Sequence, residues 1–122
     1  MKLEFDSNKL IYLQIAGSIE NDILRQVIQE EEQAPSTNQL AALYRINPAT
    51  AAKGINLLVS EGILYKKRGV GMFVSAGAVE KIRQKRRKAF YTGFIIPLLE
   101  EAANLGITKT ELTAMLREKR GQ

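Results

Sequence analysis

The chain has 122 residues, 45% of them apolar and 25% charged, which suits a soluble globular chain with one core or two small ones. It contains neither cysteine nor histidine, and this excludes disulfides, thiol chemistry and metal centres built on those ligands. The net charge of +5 is unevenly placed: residues 1–79 balance eight Lys/Arg against eight Asp/Glu, whereas residues 80–122 carry ten against five. Glu4 and Asp6 stand where a signal peptide would be apolar, and no run approaches about eighteen apolar residues, so the sequence reads as cytoplasmic with no membrane partner.

Residues 11–28 have helical spacing. Ile11, Ile15, Ile19 and Ile23 recur every four residues, and Tyr12, Ala16, Leu24, Val27 and Ile28 widen the stripe. The acid run in "QEEEQAP", Glu30 to Glu32, reads as a polar, solvated loop. A short helix follows, with Ser36 as N-cap, Gln39 completing a capping box, and Leu40 and Leu43 supplying its buried face. It ends near Tyr44-Arg45. Asn47 then caps a third helix and Pro48 takes its first position, where a missing N–H costs nothing. Ala51, Ile55, Leu58 and Val59 face inward, and Gly62 suits the left-handed position after the helix. Gly54 inside it costs about 1 kcal/mol against alanine, and such a glycine usually marks a close approach by another element.

"YKKRGVGMFV", residues 65–74, reads as a β-hairpin. Lys66, Lys67 and Arg68 form a cationic tip, and Gly69 and Gly71 permit the tight reversal. Helix, short turn, helix and hairpin in that order make a winged helix-turn-helix. In that architecture the third helix enters the major groove, and the hairpin cations meet phosphates beside it. The same fold also serves protein contacts or RNA binding, and that alternative stays open on pattern alone. An enzyme is not indicated: Gly69-Val70-Gly71 lacks the third glycine of a dinucleotide fingerprint and leads into a strand.

Taken together, "IYLQIAGSIENDIL" and "APSTNQLAALYRINPATAAKGINLLVSEGILYKKRGVGMFV" resemble the N-terminal domain of the GntR family of bacterial transcription regulators over about residues 10–75. The short tail is similar to that of the YtrA-like branch, whose small C-terminal region has two helices; the larger effector domains of other branches would not fit in this length. The resemblance implies a sequence-specific regulator of double-stranded DNA, a repressor acting as a homodimer on a palindromic operator. It implies DNA-binding roles for Ser36, Thr37, Asn38, Asn47, Ala49, Thr50, Lys53, Lys66, Lys67, Arg68, Gly69 and Gly71. Family members often have arginine where this chain has Asn38, Pro48 and Ala52, so Asn47, Thr50, Lys53 and Asn56 are the polar supply of the recognition helix. By helical spacing Thr50 and Lys53 share a face, and Lys53 is the long cation placed to reach guanine in the groove.

Residues 76–122 read as helical. "KIRQKRRK", residues 81–88, carries six cations in eight residues, either a solvated linker helix or an added backbone-binding patch. Phe90, Phe94, Ile95, Leu98 and Leu99 follow, and Pro97 predicts a kink or break between about Gly93 and Pro97. Thr108 and Glu111 form a capping box for a last helix with Leu112, Met115 and Leu116. So much apolar surface on two short helices needs a cover. A symmetric dimer through these eight apolar residues is the expected one, with packing onto the same chain as the alternative. The expected organisation is therefore mainly α with a small β-hairpin wing: a winged helix-turn-helix domain over 1–75 and a two-helix dimerisation region over 76–122. No cofactor or metal is expected, and a small-molecule effector, if one acts, would sit in the dimer cleft by analogy.

Overall fold

Isoleucine at every fourth position builds the first helix, α1, over Ile11–Leu24, and buries Ile15, Ile19 and Ile23 completely. The structure, a computed structural model, describes residues 10–118. The helix stops one turn earlier than the apolar spacing predicts. Gln26 takes a left-handed φ of 64°, and the N–H groups of Val27 and Ile28 both turn back to the Asp22 carbonyl, at 2.8 and 3.2 Å. Ile28 still packs against the core, but from the turn. Apolar spacing alone cannot separate these two ways of reaching the same core.

Helix α2 spans Thr37–Tyr44 and opens with the predicted capping box: Ser36 Oγ accepts from the Gln39 N–H at 3.1 Å, and Gln39 Oε1 accepts from the Ser36 N–H at 2.9 Å. Arg45, at φ 53°, reverses the chain. Helix α3 spans Pro48–Ser60, with Asn47 Oδ1 accepting from the Ala49 N–H at 2.8 Å. It closes on Gly62, at φ 75°: the Gly62 N–H reaches the Val59 carbonyl and the Ile63 N–H reaches that of Leu58. Those two bonds together make a Schellman stop.

Strands β1 (Leu64–Lys67) and β2 (Gly71–Val74) pair antiparallel, with Leu64 opposite Val74 and Lys67 opposite Gly71. The acidic segment before α2 runs along the other edge of β2. Glu31 N–H donates to Val74 O at 2.8 Å, Val74 N–H to Glu32 O at 2.9 Å, and Ala34 N–H to Met72 O at 2.9 Å. The acid run is exposed at Glu31 and Glu32, as a solvated loop requires, and its backbone pairs with β2 in addition. Its side chains hid the pairing, because Ala34 alone of this stretch is buried and no apolar alternation marks an edge strand.

Helix α4 spans Ala78–Phe90 and begins on Glu30. Glu30 Oε1 accepts from the Gly77 N–H at 2.9 Å and Oε2 from the Val79 N–H at 3.1 Å, so one carboxylate satisfies two N–H groups at the helix start. Lys81 donates to the Gly62 carbonyl at 3.1 Å, and Ile82 is fully buried with Ala78 in the core. That core joins Ile15, Ile19, Ile23, Leu40, Ile55, Leu58, Ile63, Leu64, Val74 and Ile82 in one cluster.

The chain divides into two compact units, one to Gln84 and one from Lys85. In the second, Pro97 does not break the helix. Residues Tyr91–Ile95 widen into a π-turn, closed by the Ile96 N–H on the Tyr91 carbonyl, and α5 continues over Ile96–Asn104. Phe90, Ile95 and Ile96 all keep right-handed helical angles. The bond that Pro97 cannot make is absorbed by the wider ladder. A second Schellman stop at Gly106 and the Thr108–Glu111 capping box lead into α6, Lys109–Arg117. Among the described residues, no helix is long and apolar enough to cross a membrane.

Gly54 sits where α1 crosses α3. A Cβ there would lie 2.8 Å from the Tyr12 carbonyl oxygen and 3.2 Å from two Ile15 atoms. Gly54→Ala should therefore destabilise the fold by about 1–3 kcal/mol, although alanine is the better helix former by about 1 kcal/mol. Chemical denaturation measures the difference; a stabilised variant would mean that the helices separate freely. Glu30 gives a pH test. Its bonds to Gly77, then Val79, hold its carboxyl below the ordinary glutamate range. A depressed folded-state pKa adds stability above the unfolded value and loses it as pH falls through the folded one. Glu30→Gln should lower Tm at neutral pH, and the gap to the parent should close as pH drops below about 4.3.

Candidate nucleic-acid interface

Helix α3 packs against α1, α2 and β1, so the first unit holds it on three sides. Ala51, Gly54, Ile55 and Leu58 are buried, while Ala49, Lys53, Asn56 and Ser60 are exposed. The exposed row recurs at three or four residues, as one helix face must. Its first three turns combine a methyl group, a cation and an amide, a set able to contact a thymine methyl, a guanine edge and an adenine edge. Thr50 is half-buried at the flank of this row, whereas the spacing placed it on the face with Lys53. In front of α3, Ser36 caps α2 with its hydroxyl, Asn38 is exposed in the first turn, and Thr37 is half-buried.

The wing differs from the hairpin that the sequence predicts. Lys66 and Lys67 belong to β1, and the turn itself is Arg68-Gly69-Val70, with the Val70 N–H on the Lys67 carbonyl at 2.9 Å. Neighbouring strand residues face opposite ways, so the three cations do not form one tip cluster. Lys66 stands opposite Met72. Lys67 lies over the Phe73 ring, its Nζ 4.2 Å from the centroid, on the side where Tyr65 and Phe73 pair at 6.0 Å. Arg68 occupies the turn beside Gly69, which has a φ of 79°. All three cations are exposed. Sequence reading took the two glycines as the whole signal, but Lys66 and Lys67 continue the alternation that starts at Leu64.

Several supports escaped the sequence analysis. Gln33 donates its amide to the Val70 carbonyl at 3.0 Å and pins the base of the turn. A Cβ on Gly71 would meet that amide nitrogen at 2.7 Å, so Gly71 serves the approach of Gln33 as well as the backbone at φ 139°. Tyr65 donates to Glu31 at 3.4 Å. Tyr12, from α1, carries the Lys53 ammonium 4.3 Å from its ring centroid. One further signal was open to reading: residues 33–60 and 62–79 hold no Asp or Glu, while Arg45, Lys53, Lys66, Lys67 and Arg68 fall within them. The even balance over residues 1–79 concealed two segments that carry cations and no carboxylates.

The expected dimerisation residues lie in the second unit. Phe90, Phe94, Leu98, Leu99, Met115 and Leu116 are exposed, Ile95 and Leu112 half-buried. Phe90 and Phe94 pack on each other with centroids 5.6 Å apart. Ala102 is the one buried residue among the described residues of this unit.

Comparison with known proteins bears on the same regions. Residues 11–74 match the family model "Bacterial regulatory proteins, gntR family", from the start of α1 to the end of β2. An HTH-type transcriptional regulator of Bacillus subtilis, YhcF, is 31% identical over 114 residues, covering 92% of this chain and 91% of that protein. The solved structure of a GntR family transcriptional regulator from Listeria monocytogenes superposes with a TM-score of 0.77 at 26% identity, over 95% of this chain and all of the other. The DNA-binding domain of AraR, solved in complex with operator ORX1, superposes with a TM-score of 0.53 at 29% identity, over 62% of this chain and 92% of that one. On these matches and its own helix-turn-helix and wing, the chain belongs to the gntR family of bacterial regulatory proteins, transcription regulators with a winged-helix DNA-binding fold.

Proposed function

We propose that the chain is a sequence-specific repressor that binds a two-fold symmetric operator as a homodimer in the cytoplasm. The observation that carries this reading is the exposed face of α3, Ala49, Lys53 and Asn56, set in a stretch free of carboxylates. In this reading α3 reads base edges in the major groove. Ser36, Thr37 and Asn38 meet the backbone, Asn47 and Thr50 flank the reading face, and Lys66, Lys67, Arg68, Gly69 and Gly71 meet phosphates beside it. The winged domain covers residues 1–75 and the dimerisation region residues 76–122, as in the YtrA-like branch. A bound dimer covers promoter DNA, which makes repression the simplest outcome. A small-molecule effector, if one acts, would enter at the dimer cleft.

Support for the dimer is physical. Eight large hydrophobic side chains among the described residues of the second unit stand exposed, six of them expected dimerisation residues, and a second copy of the same surface would cover them by symmetry. Selection from random duplex DNA tests the whole reading. An inverted repeat should be enriched; a flat result would leave the wing and α3 to another partner.

Two narrower outcomes follow. Lys66, Lys67 and Arg68 replaced together by alanine should weaken specific and random duplexes by similar factors, and each lost phosphate contact should flatten the log–log salt slope by about 0.9. Unchanged affinity would return these cations to solvent. Phe94→Glu with Leu98→Glu should give a monomer in sedimentation and abolish preference for half-site spacing; a persistent dimer would place the interface elsewhere.

A further inference from the structure

Lys53 is the sole cation on α3, and its ammonium rests against an aromatic ring. Its ammonium sits 4.3 Å from the centroid of the Tyr12 ring, on the first turn of α1. Tyr12 is half-buried, and its own carbonyl oxygen faces Gly54 so closely that a Cβ there would approach to 2.8 Å. Gly54 is the neighbour of Lys53. The glycine that lets α1 and α3 touch thus also brings the Tyr12 ring beneath the lysine next to it. A tyrosine face attracts an ammonium through its quadrupole while leaving N–H donors for another acceptor.

We propose that Tyr12 is a specificity-determining positioning residue: it holds the Lys53 ammonium at one place on the rim of the reading face. This inference rests on the reading of α3 as the base-contacting helix. An unsupported lysine has four rotatable bonds, and it satisfies itself on any nearby phosphate oxygen. A lysine already fixed over a ring gives up less freedom when it bonds a base edge, and it reaches fewer wrong acceptors. Tyr12 therefore raises discrimination between operator and random DNA without touching DNA itself.

The test measures affinity for the selected operator and for random duplex at one salt concentration, on the full-length dimer. Tyr12→Leu should lower the operator-to-random ratio by about two- to fivefold, the factor that an exposed cation–π contact converts to. Tyr12→Phe, which keeps the ring, should restore the parent ratio. In a Lys53→Ala background, Tyr12→Leu should change nothing further. Equal losses in Tyr12→Leu and Tyr12→Phe, or a loss that persists without Lys53, would overturn the proposal in favour of a packing role. If Lys53→Ala alone leaves the ratio unchanged, the base-reading role of Lys53 fails, which is a separate result. NMR of the free parent protein gives an answer that needs no mutant to fold. The Lys53 ε-methylene protons should be shifted upfield by the ring current, and ordinary shifts would overturn the contact.

Discussion

The contact of α1 with α3 at Gly54 is the constraint on which the rest of the first unit depends. Helices normally meet at 8–10 Å between axes, the spacing set by the side chains between them. Here one side chain is missing, and the Tyr12 carbonyl occupies its place. Ile15, Ile19 and Ile23 of α1 then share one buried cluster with Ile55 and Leu58 of α3. The Schellman stop at Gly62 turns the chain into β1 just where Ile63 and Leu64 can join the core. The orientation of the exposed face of α3 is thus a by-product of packing: with Ala51, Ile55 and Leu58 buried, Ala49, Lys53 and Asn56 face outward.

A second layer of order comes from the acid run. Glu30, Glu31 and Glu32 sit side by side, yet each has its own partner. Glu30 holds the start of α4, Glu31 accepts from Tyr65, and Glu32 accepts from the Gln29 N–H. The backbone of the same segment hydrogen-bonds to β2. Gln33 extends the attachment to the wing turn. The segment before the helix-turn-helix therefore fastens the hairpin on one side and α4 on the other. Its carboxylates are held by N–H and O–H donors of Gln29, Tyr65, Gly77 and Val79.

Much of this was legible in the sequence, for reasons that differ by element. The caps at Ser36, Asn47 and Thr108 and the glycine stop at Gly62 are local chemistry, decided within a few residues, and short spacing rules capture them. Gly54 announced a close approach, although nothing in its neighbourhood named Tyr12 as the other side. Long-range partners were out of reach: Glu30 with Gly77, Gln33 with Val70 and Lys53 with Tyr12 are separated by more than thirty residues. The wing went partly wrong because glycine pairs signal a reversal but do not say how far the strands run. At Pro97 the rule about the lost hydrogen bond marked the right place, although the helix does not break there. The ladder widened where a kink or break was expected.

That widened turn has a geometric meaning. Phe90, Phe94, Leu98 and Ala102 are spaced by four. On a regular α-helix of 3.6 residues per turn, such a series creeps round the cylinder by about 40° at each step. A π-turn takes more than four residues for one revolution, so placing it inside the series cancels part of the creep. It acts as a vernier that keeps an aromatic pair and the aliphatic residues after it closer to one line. Removing one residue between Tyr91 and Ile95 would let a regular α-turn replace the wide one and leave the downstream residues facing nearly as before, whereas a deletion in the regular turns that follow would rotate them by about 100° relative to Phe90.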